Sequence, residues 1–252
     1  MRATVTTFFA SRGLLAAAAA ILLTNGSALA ADISGAALAA DAAPAPVPAA
    51  SMWDLAFGVG FTSDYISRGF TQTNGGAAVQ PWAELSYNDF VYVGYWGSNV
   101  DDGTTATWEN DLSIGIRPKL GAFNFDFGYT RYIYNDSAFA EPSGELSGKV
   151  SVSPADPVTV GAALFYDPEA EHTYIETNGS LDLQHSVSLS GAVGVQAYGD
   201  GGDSVASWNA GASWKPKDWV TVDGRYYAGP TADRFVVTVS FQSSLKALGL
   251  IH

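Results

Sequence analysis

From Trp53 onward the chain alternates in twos. Leu55, Phe57, Val59 and Phe61 interleave with Ala56, Gly58, Gly60 and Thr62, and Phe123, Phe125, Phe127 and Tyr129 interleave with Asn124, Asp126, Gly128 and Thr130. One phase is large and apolar and the other small or polar, which is the period of a strand with two unlike faces. The pattern recurs at 79–87, 108–117, 145–152, 158–166, 173–183, 187–197, 208–214, 220–228 and 235–241. A further run, 90–98, is aromatic on both phases, so its faces stay open. Twelve segments result, most of a length suited to a tilted membrane-crossing strand, which needs about 9–11 residues.

The connections carry a second rhythm. With the N-terminus on the periplasmic side, the outer ones fall at 67–76, 97–105, 135–143, 167–171, 199–204 and 229–233. Those between them, at 88–89, 118–122, 154–157, 184–186 and 216–218, are shorter and rich in Pro, Asn and Asp. Long outer loops and tight inner turns of this chemistry belong to a bacterial barrel.

A soluble β-sandwich also yields short alternating strands. Its dry core could not hold Glu84, Glu109, Asp111, Asp126 and Asp223, which fall at mid-strand on the polar phase. Backbone in lipid is satisfied only by a helix or a closed barrel. The expected fold is therefore all-β: a single closed antiparallel transmembrane β-barrel of about 12 strands over 53–242.

Residues 1–30 carry Arg2 and Arg12, an apolar run at 14–23 and Ala28-Leu29-Ala30, the order of a signal peptide. Residues 31–52 form an Ala/Pro-rich periplasmic leader, with Pro44, Pro46 and Pro48 favouring extended polyproline geometry. Residues 243–252 form a tail beyond the last strand. The expected location is the cell outer membrane.

Composition sharpens this picture. Only 15% of the 252 residues are charged, against about 25% in soluble domains, so charge is missing from the phase that faces lipid. The formal net charge of −13 disfavours nucleic acid as a partner. With no Cys there is no disulfide framework, thiolate metal site or Cys nucleophile. No metal-ligand spacing or phosphate-binding glycine loop appears, so neither cofactor nor metal is expected. Of three His residues, only His172 lies among acids (Asp167, Glu169, Glu171), and a polar loop is its ordinary reading. No catalytic residue is assigned, and an outer-membrane hydrolase ranks last among the readings.

The polar phase places Asp64, Glu84, Glu109, Asp111, Asp126, Glu145, Glu176, Asp182 and Asp223 in the lumen, against Arg117, Lys149, Lys215 and Arg225. Carboxylates lining a lumen concentrate cations; the alternative is that these groups pair and close the interior. Arg68, in the first outer loop, is expected to pair with Asp64. The pore-lining set is thus Asp64, Arg68, Glu84, Glu109, Asp111, Arg117, Asp126 and Asp223. Arg131 and Arg234 are expected on the lipid side, against lipopolysaccharide phosphates. Strand-end rings, among them Trp53, Tyr65, Tyr87, Trp108, Tyr129, Tyr132, Tyr134, Tyr166, Trp208, Trp214, Trp219, Tyr226 and Tyr227, would form the interfacial girdles.

The run Ser63-Asp64-Tyr65-Ile66-Ser67-Arg68-Gly69-Phe70-Thr71-Gln72-Thr73, with Ala78-Val79-Gln80-Pro81, Trp96-Gly97-Ser98-Asn99, Glu109-Asn110-Asp111 and Tyr132-Ile133-Tyr134, resembles the TorF family of proteobacterial porins. The resemblance spans roughly 53–242 and implies an outer-membrane barrel taken to be a channel, without catalytic residues. Two departures stand out: Asn135 replaces the usual Pro, and Gln242–His252 follow the terminal aromatic Phe241. The expected function is passive diffusion of small hydrophilic solutes or ions, with a preference for cations and the loop at 67–76 narrowing the mouth. A non-conducting structural or adhesin-like barrel is the alternative. Outer-membrane lipid and lipopolysaccharide are the expected surroundings, and nothing in the sequence marks a homo-oligomer face.

Overall fold

The computed structural model describes residues 51–135, 144–199 and 201–251. The expected signal peptide, all of the leader before Ser51, and loop residues 136–143, Asp200 and His252 lie outside the described residues.

In chain order the strands are β1 (Trp53–Thr62), β2 (Ile66–Ser67), β3 (Phe70–Thr71), β4 (Ala78–Tyr87), β5 (Val91–Asn99), β6 (Trp108–Ile116), β7 (Lys119–Leu120) and β8 (Phe123–Tyr134). There follow β9 (Gly144–Ala155), β10 (Val158–Asp167), β11 (His172–Leu183), β12 (Val187–Ala197), β13 (Val205–Lys217), β14 (Val220–Ala228) and β15 (Asp233–Ser244). The twelve long strands pair antiparallel with their sequence neighbours. Pairing of β1 with β15 closes the ring, with Phe61 opposite Val239 and Ala56 opposite Ser244. The fold is a closed twelve-stranded barrel, which leaves no free sheet edge.

The two phases take the faces that the alternation predicts. Ile114, Ile175 and Val193 are 54, 55 and 53% exposed on the outer wall. An apolar surface this continuous suits hydrocarbon and not water. Inside, Gln80, Glu84, Glu109, Asp111, Ser180 and Ser190 are buried. In β5, whose faces the sequence left open, Tyr92 and Trp96 turn inward while Val91 and Val93 stay exposed.

Pro81 lacks an N–H to give to a neighbouring strand. Pairing of β4 with β5 accordingly starts only at Trp82. Above it the Asn99 side chain bridges the gap, accepting from Val79 N at 2.8 Å and donating to Ala77 O at 3.0 Å.

The girdle is partly as expected: Trp53, Trp208, Trp214, Trp219 and Tyr226 are exposed on the outer wall. Tyr65, Tyr132, Tyr134 and Tyr227 instead turn inward, because they share a phase with or pack beside lumen carboxylates. At the C-terminus β15 continues past Phe241 to Ser244. The chain then folds back on β1, with Leu245 N donating to Leu55 O at 3.1 Å and Lys246 N to Asp54 Oδ1 at 3.1 Å. The first long connection contains a feature the alternation did not reveal, the two-residue strands β2 and β3 paired as a hairpin.

Candidate functional site

The lumen holds its charges in tiers. Near the short-turn end Arg117 follows β6 and forks onto Glu84, donating from Nη1 and Nη2 at 2.7 and 2.6 Å, while its Nε reaches Asp126 Oδ2 at 3.3 Å. The guanidinium lies 4.0 Å from the Tyr92 ring centre, and Tyr92 Oη donates to Asp126 at 2.9 Å. At this end a cavity of about 320 Å³ is lined by Asn88, Asp89, Phe90, Arg117 and Lys119.

At mid-height Arg225, 1% exposed, donates to Asn209 Oδ1 and Ser190 Oγ, each at 2.6 Å. It also pairs with Asp223 at 3.1 Å. Asp223 was expected in the lumen and is there; Arg225, two residues along the same phase, is its cation. Glu176 accepts from Tyr174 Oη at 3.1 Å and Asn178 Nδ2 at 3.2 Å.

At the long-loop end the expected Arg68–Asp64 pairing is replaced by two others. Arg68 does not pair with Asp64. It donates from Nη1 and Nη2 to the two carboxylate oxygens of Glu145, both at 2.6 Å. Its guanidinium carbon stands 4.9 Å from the Phe165 ring centre and 4.7 Å from that of Tyr174. Tyr132 Oη donates to Glu145 at 2.8 Å, and Gln196 Oε1 accepts from Arg68 at 3.4 Å. Between β1 and β9 stand β4, β5, β6 and β8 on one side and β10 to β15 on the other. Glu145 therefore faces Arg68 from the far wall.

Asp64 pairs with Arg234 Nη1 at 3.1 Å and accepts from Thr71 and Thr73 hydroxyls at 2.6 and 2.8 Å. Arg234 thus departs from its expected lipid-facing position. Phe235 and Val237 take the outer side, so the residue between them and the loop turns toward the buried Asp64 carboxylate. Arg131 does stand on the outer wall, lining a depression of about 560 Å³ with Leu85, Val93, Leu112, Ile114 and Tyr129.

Glu109 and Asp111 are 3 and 2% exposed. Glu109 accepts from Tyr134 Oη at 2.8 Å. Its Oε2 and Asp111 Oδ1 have no hydrogen-bond partner among the described residues, and neither does Trp96 Nε1 beside them. Outside the strands, burial raises the Tyr65 phenol well above its ordinary value, and the charges of Glu109 and Asp111 raise it further.

All eight expected pore-lining residues face the interior or its mouth. Outside that set, phase reads Glu145 and Arg225 as lumen charges and misses the rings of Tyr92, Phe165 and Tyr174 as partners of the arginines. Nothing local names the mate of Glu145, 77 positions away, whereas Arg225 pairs with Asp223 two residues along its own strand. His172 meets the Tyr198 ring edge to face at 4.8 Å, and His185 sits in the turn before β12.

A closed barrel with an apolar outer wall and a charged lumen is the architecture of outer-membrane porins. The KdgM porin superposes with a TM-score of 0.56 at 7% identity, covering 75% of this chain and 98% of that one. The KdgM porin in complex with disordered oligogalacturonate gives 0.55 at 6% identity over 75% and 98%. At such identities the likeness is one of fold. Residues 47–248 match Gcw_chp, described as a bacterial protein of unknown function, and the chain belongs to that family. No curated protein matches the sequence.

Proposed function

We propose that the protein is an outer-membrane porin of the TorF type, a passive channel for small hydrophilic solutes that favours cations and performs no catalysis. One observation carries this: a closed barrel turns an apolar wall outward and a charged lining inward. The cation preference rests on Glu109 and Asp111. Four arginines pair with Asp64, Glu84, Asp126, Glu145 and Asp223, Arg117 serving two of them, whereas Glu109 and Asp111 each keep an oxygen without a hydrogen-bond partner among the described residues, so the lining is acidic on balance. The KdgM porin was solved with oligogalacturonate, a carboxylated sugar chain; the lining here favours the opposite charge.

Export by a signal peptide cleaved after Ala30 would deliver the chain to the outer membrane. There Arg131, two residues beyond Tyr129 on the outer wall, would meet lipopolysaccharide phosphate. Charge reversal at Arg131 tests that contact: unchanged lipopolysaccharide affinity removes it. Single-channel recording of the purified protein in planar bilayers tests the main reading. Ion-conducting steps with a reversal potential displaced toward the cation equilibrium are expected, and absence of conductance would overturn it. One observation favours a second reading, a non-conducting barrel: the first loop lies across the mouth, anchored to the far wall through Arg68.

A further inference from the structure

The first connection is fastened at both ends of its reach. On the near side Thr71 N donates to Thr231 Oγ1 at 2.9 Å, and Thr231 N and Ala232 N donate to Gly69 O at 3.1 and 3.0 Å. Gly69 takes φ of 83°, and a Cβ there would stand 2.7 Å from Ser207 Cβ and 2.8 Å from Gly229 Cα. Only glycine permits both the left-handed backbone and this closeness. The second loop rests on the first, Asp101 N donating to Gln72 O at 2.7 Å. Beneath the two loops Tyr65, Trp96, Glu109 and Asp111 are 5, 2, 3 and 2% exposed. An open mouth would bathe these carboxylates in water, so the loops seal this sector.

On the far side the fastening is the Arg68–Glu145 fork, flanked by Phe165 and Tyr174. It differs in kind from the contacts at Gly69 and Thr71, where backbone N–H groups supply three hydrogen bonds between the β2–β3 hairpin and residues 231–232. The tip, Arg68-Gly69 between β2 and β3, is thus held twice, by the charged fork and by the Gly69 carbonyl. The fork's side-chain exposures of 22 and 9% show that water already reaches the arginine. When the pair parts, Tyr132 Oη still donates to Glu145, and Arg68, already reached by water, is solvated. A charge-assisted fork is strong enough to hold a loop and specific in geometry. Its release needs no strand to unpair.

We propose that residues 63–77 are the gate of the channel and that the Arg68–Glu145 pair is the latch that holds it shut. The contacts of Asp64 near the loop's root, to Thr73 and Arg234, serve as the hinge, and the Gly69 carbonyl is a second, neutral fastening of the tip. This rests on the channel reading above: once the fork opens, only neutral hydrogen bonds at Gly69 and Thr71 keep the tip across the mouth, and their release lets the loop swing about its roots.

The test is single-channel recording of the full barrel in planar bilayers. Wild type is compared with Glu145→Gln, Arg68→Gln, the double variant and a chain whose residues 66–75 are replaced by a short Gly/Ser linker. Heat-modifiable migration on gels establishes that each barrel is folded. Each single variant is expected to raise the open-to-closed ratio about tenfold or more, the scale of one lost charge-assisted hydrogen-bonded pair. The double variant is expected to rise no further than the larger single effect, because both changes open one contact. Unaltered ratios in both single variants, or effects that simply add, overturn the latch. Current through the linker variant alone also overturns it while sustaining the channel. Silence in every folded chain, the linker variant included, removes the channel reading and the latch with it.

Discussion

Arg117→Leu is the sharpest test of whether the lumen charges stabilise the barrel as pairs. The substitution removes two hydrogen bonds to Glu84 at 2.7 and 2.6 Å, one to Asp126 at 3.3 Å, and the contact with the Tyr92 ring at 4.0 Å. It leaves Glu84, whose side chain is 6% exposed, without its cation. Removing one member of a buried pair costs about 3–5 kcal/mol, chiefly through the stranded charge. Arg117 itself is 20% exposed and opens on the short-turn cavity, so lumen water resolvates part of that charge. A loss of about 3 kcal/mol, the low end of the range, is expected. Arg117→Lys keeps the charge without the planar fork and should cost about 1–2 kcal/mol. Glu84→Leu combined with Arg117→Leu strands no charge at Glu84 and should return to within about 1 kcal/mol of wild type. Reversible guanidinium unfolding in detergent micelles, followed by emission from the seven tryptophans, measures all three. A loss below about 1 kcal/mol for Arg117→Leu, or a double variant as unstable as the single, would refute the reasoning.

Three further outcomes follow from the same geometry. Gly69→Ala should loosen the docking of the loop tip by about 1–2 kcal/mol of backbone strain alone, seen as faster protease cleavage in 63–77 with the barrel intact; an unchanged rate would count against the docking. Val193→Arg, placing charge on the middle of the lipid wall where Val193 is 53% exposed, should cost about 2–4 kcal/mol in bilayers, and a neutral result would move that face out of hydrocarbon. The raised pKa of Tyr65 means that the folded protein holds its phenolic proton more tightly than the unfolded chain. That stability is fully present below about pH 10, the unfolded value, and is lost as pH rises above it. Stability of Tyr65→Phe should therefore fall less steeply above that pH, and parallel curves would sink the assignment.

Much of the molecule is local and hence legible in the sequence. A period of two assigns each strand residue to a face, and the choice of large apolar or small polar side chains says which face meets lipid. The twelve strands, the alternation of long and short connections and the inward placement of Glu84, Glu109, Asp111, Asp126 and Asp223 all follow from that. Where the alternation is blurred, as in β5 with rings on both phases, only pairing with β4 and β6 turned Tyr92 and Trp96 inward. What closure alone decided is which charges meet across the lumen. Arg68 lies four residues from Asp64, yet its partner Glu145 is 77 positions away. Asp64 is taken instead by Arg234 from the other end of the chain. Strand phase carries no information about the opposite wall of a barrel. Ring closure sets the distance across the lumen, and a loop long enough to span it finds the carboxylate waiting there.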